Sequence, residues 1–206
     1  MQAQAVVART PGRVTFERIT VPDPTEDDVV VRVQYSWISN GTEASFIRGE
    51  RIAGDTPWRK GDPSPFPLVP GYQKVGIVEW VGAKVKDISP GQRVFATVSK
   101  VSGMAFDRGG HVSPAVTDHT QVWKIPDPVD PVAVSGLVLT QVGYNCGTRA
   151  PVEPGDAAVV IGDGLVGHWT AQTLVARGAR VMLVGKHVER LNRFTAREND
   201  RIVNIK

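Results

Sequence analysis

The segment that most constrains this chain runs Val159-Val160-Ile161-Gly162-Asp163-Gly164-Leu165-Val166-Gly167. An apolar run enters a Gly-x-Gly-x-x-Gly pattern, and a helix-compatible stretch follows. Gly162 permits a tight turn, Gly164 lets backbone approach a pyrophosphate, and Gly167 lets helix and strand pack closely. Leu165 and Val166 open the helix, so their backbone N–H groups would face the phosphates, where the helix dipole favours negative charge. A second apolar run, Ala179-Arg180-Val181-Met182-Leu183-Val184, follows the helix and supplies the next strand of a β-α-β unit. The expectation is a dinucleotide-binding segment.

The alternation continues around that motif. A turn at Pro154-Gly155-Asp156 precedes a strand over 157–161. The pattern then predicts a helix over 165–177, a strand over 180–184, a helix over 188–197 and a strand over 201–205, all in a parallel arrangement. Residues 131–145 open with a further helix. The earlier part of the chain reads differently. Strands at 29–35, 76–81 and 93–98 are rich in β-branched residues, and turn signals such as Pro22-Asp23-Pro24 and Ser89-Pro90-Gly91 separate them. That texture predicts a small, mostly antiparallel barrel. Residues 49–70, polar and rich in Gly and Pro, read as one long loop. The fold class is therefore α/β plus β: a barrel domain over 1–127, then half of a Rossmann domain over 128–206. A doubly wound fold usually has about six strands. Three are present, so the chain is expected to be a fragment, to form a homo-oligomer, or to be completed by another chain; otherwise a strand edge stays unpaired.

Composition removes several function classes. An apolar share of 41% with 22% charged residues suits a soluble globular protein. No apolar run approaches the roughly 18 residues of a membrane span. The start, Met1-Gln2-Ala3-Gln4-Ala5-Val6-Val7, lacks a basic region before an apolar core and does not read as a signal peptide. Cys146 is the one cysteine, which excludes an intrachain disulfide and fits a cytoplasmic setting; beside Gly147 it reads as a small packing residue. The net charge of +3 is spread among interleaved acids and bases, so a nucleic-acid partner is not expected. A small-molecule substrate is. His111, His119, His168 and His187 read as surface or hydrogen-bonded histidines.

Taken in order, the motifs resemble the medium-chain dehydrogenase/reductase family, the relatives of zinc alcohol dehydrogenases. Ile38-Ser39-Asn40-Gly41-Thr42-Glu43 resembles that family's Ile-Cys-Gly-Thr-Asp. Residues 70–82, from Pro70-Gly71-Tyr72-Gln73 to Val81-Gly82, resemble Pro-Gly-His-Glu followed by Gly-x-Val-x-x-Val-Gly. Gly91-Gln92-Arg93-Val94 and Gly109-Gly110-His111-Val112 resemble its Gly-Asp-Arg-Val and Gly-Gly-x-Ala. The resemblance implies a GroES-like barrel beside a dinucleotide domain, with nicotinamide-dependent hydride transfer. It runs over nearly the whole chain, although the family's chains continue well beyond this length.

The departures fall on the metal. Where the family places zinc ligands, this chain has Asn40, Tyr72 and Gln73, with Val138 near the remaining ligand position. None is a good zinc ligand at neutral pH. No Cys lies between Arg93 and Gly109, where a structural-zinc lobe would sit. No metal is expected. The Gly-Thr-Glu and Pro-Gly-Tyr pairing is similar to the zinc-free branch that includes bacteriochlorophyllide hydroxyethyl dehydrogenases.

Without zinc, other groups must polarise the substrate oxygen. By resemblance Thr42 occupies a proton-relay position. Tyr72 and Asn40 are candidate hydrogen-bond donors to a carbonyl or developing enolate, with a packing aromatic and a turn residue as their structural alternatives. Glu43 reads as a salt-bridge partner more than a base. Thr140 lies where the family contacts the nicotinamide. The cofactor is read after the second strand. An acid about 20 residues beyond the glycines would bind the ribose 2′-hydroxyl of NAD. Here Gly185 takes that place, with Lys186, His187 and Arg190 behind it. A small residue followed by cations favours NADP(H) over NAD(H). Three readings stay open: a zinc-independent oxidoreductase acting on a carbonyl, alcohol or activated alkene; a non-catalytic or inactive fragment that keeps the scaffold and nucleotide binding; and a zinc alcohol dehydrogenase whose ligands lie elsewhere.

Overall fold

The β-branched runs of the first half pair as antiparallel strands, and the alternating runs of the second half pair as parallel ones. The computed structural model describes residues 1–206, with Ala53 described by its backbone alone. Two units separate by contacts, Met1–Gly136 and Leu137–Lys206.

The first unit contains β1 (Gln2–Thr10), β2 (Arg13–Thr20), β3 (Asp28–Ser36), α1 (Asn40–Ile47), β4 (Arg51–Ala53), β5 (Thr56–Pro57) and β6 (Lys74–Val81). It continues through β7 (Arg93–Ala96), β8 (Ser99–Lys100), β9 (Arg108–Gly109), β10 (Val112–Ser113), β11 (Ala115–Asp118), β12 (Val122–Lys124) and α2 (Pro131–Val134). Five strands form a sheet in the order β11-β3-β6-β7-β12, and three form another in the order β10-β1-β2. Inward side chains of both sheets, among them Ala5, Val7, Val29, Val31, Val78, Val94 and Ala115, share one core. This is the barrel that period-two patterning predicts. The segment expected to be one long loop carries the β4–β5 hairpin, because Gly54 at φ 49° makes its turn. Lys74 lies in this interior, with Nζ donating to the Thr97 carbonyl. Burial pushes its amine down to about 7.

The second unit runs α3 (Leu137–Arg149), β13 (Ala157–Ile161), α4 (Leu165–Ala176), β14 (Arg180–Gly185), α5 (Val188–Leu191) and β15 (Arg201–Asn204). Its three strands are parallel in the order β13-β14-β15. Val160, Val181 and Leu183 pack with Ala171 and Leu174 of α4. Gly143 and Gly147, four apart on one face of α3, admit α4 closely: a Cβ on Gly143 would stand 2.5 Å from Trp169 Cβ, and one on Gly147 2.5 Å from Thr173 Cβ. Arg177 ties the end of α3 down, donating to the carbonyls of Gly147 at 2.7 Å and Ala150 at 2.8 Å. Val159 and Ile161 point away from that core and are exposed, Ile161 at 81%.

Two expectations need correction here. The helix expected over 188–197 ends at Leu191. Asn192 is a weak helix former, and Phe194 turns back into the core, where it meets the His168 ring. Asp200 then accepts the Arg197 N–H at 2.8 Å and the Val181 N–H at 2.8 Å, fixing a turn in place of further helix. Cys146 does not pack inside: its side chain is exposed on α3.

Candidate functional site

Two sites emerge, one in each unit. In the first, α1 begins at Asn40 with Ser39 as its N-cap residue. Glu43 reaches back, and its Oε1 accepts the Ser39 N–H at 2.6 Å. Its Oε2 lies 2.7 Å from His111 Nε2, while His111 Nδ1 lies 2.9 Å from Ser36 Oγ. Glu43 and His111 are both buried. The 68-residue separation between them is closed by glycine contacts. Gly110 packs on the Gly71 backbone so closely that a Cβ would collide with the Gly71 carbonyl carbon. Gly71, at φ 89°, packs on the imidazole; a Cβ there would stand 2.6 Å from Nε2. The Gly110 and His111 N–H groups donate to the Pro70 carbonyl at 3.1 and 3.0 Å. Pro70-Gly71 and Gly109-Gly110 are thus one structural feature, and it sets His111 against Glu43.

Beside this cluster is a cavity of about 350 Å³. Thr42, Glu43 and Tyr72 line it together with apolar Phe46, Leu68 and Phe106. Asp107 and Arg108 are further lining residues. A mostly apolar pocket with a few converging polar groups is the form expected of a small-molecule site. Thr42 and Tyr72 are half-buried. The sequence-expected pair Thr42 and Tyr72 is therefore brought together. Asn40 is not part of it: it starts α1, is exposed and does not line the cavity. Reading the residues alone missed His111, which has the acid partner that sequence did not supply. The abutting glycine pairs were the available signal.

The zinc positions can be tested on the residues themselves. Among the described residues, no group of three His, Cys, Asp or Glu side chains is arranged to hold a metal ion. The nearest donor types, Glu43 and His111, bind each other, Ser39 and Ser36. The donor set does not fit zinc.

In the second unit, β13 runs into the glycine loop as the sequence predicts. Gly162 adopts φ 125°, a region side chains avoid. A Cβ on Gly167 would collide with the Gly162 carbonyl oxygen, whereas Gly164, the N-cap of α4, faces open space. The first-turn N–H groups of α4, those of Leu165 and Val166 among them, have no intrahelical acceptors. A cavity of about 630 Å³ runs along β13 and the start of α4, lined by Gly162, Gly164, Val166, Gly167, Thr170 and Cys146. These features fit a dinucleotide pyrophosphate. Thr140 lies apart from this cavity, in a groove between α3 and α4 with Tyr144 and Trp169.

The end of β14, where the sequence reading places the ribose contact, holds a residue that this reading left unassigned. Asp163 Oδ2 accepts the N–H groups of Lys186 at 2.8 Å and His187 at 2.7 Å, and Oδ1 lies 3.0 Å from His187 Nδ1. Arg190 Nη1 is 3.8 Å away. The His187 side chain, with these backbone N–H groups, holds the Asp163 carboxyl well below the usual carboxylate range. Gly185, Lys186, His187 and Arg190 are thus gathered as expected, but around an internal carboxylate.

Comparison with known proteins matches residues 25–127 to the alcohol dehydrogenase GroES-like domain. An uncharacterised zinc-type alcohol dehydrogenase-like protein of Escherichia coli is 23% identical over 205 residues, covering 89% of this chain and 57% of that protein. The 2-desacetyl-2-hydroxyethyl bacteriochlorophyllide A dehydrogenase of Rhodobacter capsulatus is 26% identical over 189 residues, covering 89% and 56%. A putative zinc-binding dehydrogenase from Sinorhizobium meliloti, solved bound to NADP, superposes with a TM-score of 0.75 at 22% identity, covering 99% of this chain and 62% of that one. The chain spans a little over half the length of these relatives.

Proposed function

Because the chain belongs to the alcohol dehydrogenase GroES-like domain family, within the medium-chain dehydrogenase/reductase superfamily, we propose that it is a zinc-independent, nicotinamide-dependent oxidoreductase. Its substrate class is a small carbonyl, alcohol or activated alkene. The observation that carries this reading is the 350 Å³ cavity, where Thr42 and Tyr72 meet apolar walls while the nearest metal-type donors are engaged with each other.

When bound, the nicotinamide supplies or takes the hydride. The chain's own residues do the rest. The Tyr72 hydroxyl donates to the substrate oxygen and stabilises the charge that develops there. The Thr42 hydroxyl is a second donor. Phe46, Leu68 and Phe106 exclude water, which strengthens both bonds. NADP(H) is the proposed cofactor over NAD(H), since the Lys186 and Arg190 side chains are exposed beside the ribose-reading turn. Asp163 offsets part of that positive charge. The exposed Val159 and Ile161, with β13 at the edge of its sheet, support a second copy or a completing chain as partner. The lone exposed Cys146 fits a reducing cytoplasm.

The test is NADPH fluorescence on mixing, then turnover over quinones, enones and aldehydes, with metal analysis of the same sample. NADPH binding with zinc-free turnover supports the proposal. Stoichiometric zinc overturns the metal-free assignment. Binding without turnover favours a nucleotide-binding protein that is not an enzyme.

A further inference from the structure

Reduction of a carbonyl needs a proton as well as a hydride, and Tyr72 and Thr42 are hydroxyls that must recover any proton they give. We propose that Glu43 and His111 hold one proton in common beside the cavity and deliver it through the Glu43 carboxyl, with Ser36 fixing the ring; this rests on the oxidoreductase reading above. Three observations carry it. Glu43 lines the cavity. Its Oε2 is 2.7 Å from His111 Nε2, a direct proton-transfer distance within the protein interior. The other ring nitrogen is 2.9 Å from Ser36 Oγ, so a doubly protonated ring has an acceptor at each nitrogen.

The step balances as proton transfer alone. The Nε2–H bond of the imidazolium breaks as an O–H bond forms at Glu43 Oε2. That O–H bond then breaks as the substrate oxygen, negative after hydride arrival, becomes a hydroxyl. Glu43 returns to carboxylate and His111 is left neutral, with Nδ1–H still donating to Ser36. Water entering the emptied cavity relays one proton from bulk solvent through Glu43 to Nε2. Alcohol oxidation runs the same transfers backwards. Glu43 is the donor that meets substrate, and His111 and Ser36 are positioning residues. Oε1 stays tied to the Ser39 N–H, which keeps Oε2 aimed at the ring. The other titratable side chains on the cavity are Tyr72, Asp107 and Arg108. Asp107 and Arg108 are exposed, with Arg108 donating to Asp107 Oδ2 at 3.3 Å.

Two measurements on the full chain test this. In long-range proton–nitrogen NMR, His111 should show both ring nitrogens protonated, with an Nε2–H signal that is lost in Glu43→Gln while folding, followed by circular dichroism, persists. A ring without Nε2–H overturns the proposal. Should Glu43→Gln fail to fold, Ser36→Ala is the second variant, and its Nδ1–H signal should shift while Nε2–H remains. In weakly buffered single-turnover mixing with NADPH and an aldehyde, loss of NADPH absorbance should precede proton uptake reported by an indicator dye, and His111→Gln should make the two coincide. Coincidence already in the unaltered chain overturns the proton store. If no carbonyl is reduced at all, the oxidoreductase reading fails, and the NMR result alone then decides whether the pair holds the proton.

Discussion

The Asp163 carboxylate stands where a side chain on Gly185 would have to go: a Cβ on Gly185 would lie 2.5 Å from Asp163 Cβ and from Oδ2. The acid that reads a ribose is normally placed by the second strand. Here an acid from inside the glycine loop occupies that space and takes the Lys186 and His187 N–H groups. Asp163→Asn keeps the shape and removes the charge, so the NADPH dissociation constant should fall by roughly three- to tenfold, with a smaller change for NADH. Fluorescence titration of both cofactors checks this; equal changes would place Asp163 outside cofactor choice.

Lys186→Glu should act in the opposite sense. Its side chain is exposed and its N–H already bonds Asp163, so the substitution changes charge with little effect on the turn. The NADPH dissociation constant should rise at least several-fold while that for NADH is spared. Equal losses for both would remove Lys186 from 2′-phosphate recognition.

Tyr72→Phe removes one hydroxyl from the cavity and keeps its aromatic packing. Turnover should fall by about 10²–10³, the usual cost of one donor to a developing oxyanion, with NADPH binding unchanged. An unaltered rate would make Tyr72 a packing residue only.

Lys74 gives the fold a pH dependence of definite sign. Its amine titrates at about 7 in the fold against 10.5 in the unfolded chain. Above 10.5 it is neutral in both states and costs nothing. Between 7 and 10.5 the unfolded chain binds more protons, so this group's contribution makes stability rise with pH; below 7 its penalty is complete. Lys74→Met should therefore stabilise the protein by up to a few kcal/mol below pH 7, and the gain should fade towards pH 10. Urea melts across that range measure it. A gain independent of pH would mean that the amine stays charged in the fold.

Gly110→Ala should destabilise the first unit by about 2 kcal/mol or more, since the new methyl meets backbone that has no freedom to yield. Thermal melts should show a fall of several degrees, along with loss of the His111 Nε2–H signal. A neutral effect would mean that Gly71 and Gly110 are less firmly apposed.

The glycine loop was legible because Gly162, at φ 125°, and Gly167, against the Gly162 carbonyl, each answer a local backbone demand written within nine residues. The strands around Val29 and Val94 were legible for the same reason, since period-two patterning is local. The early end of α5 was not, because it depends on Phe194 finding the core. The Glu43–His111 pair and the Asp163–Gly185 contact were hidden for a stronger reason. Each joins residues whose separation only strand pairing or a crossover can close, and no local pattern encodes such closure. Asn40 shows the converse: a motif match put it two residues from Thr42, yet two helical residues carry a side chain about 200° around the axis and away from the cavity.

The apposition of Gly71 and Gly110 limits how this pocket can diversify. Neither position accepts a side chain, and a residue of the site follows each one: Tyr72, which lines the cavity, after Gly71, and His111, which meets Glu43, after Gly110. A descendant of this chain can rewrite the cavity wall at position 72 and the partner of Glu43 at position 111 while the backbone beneath both stays put.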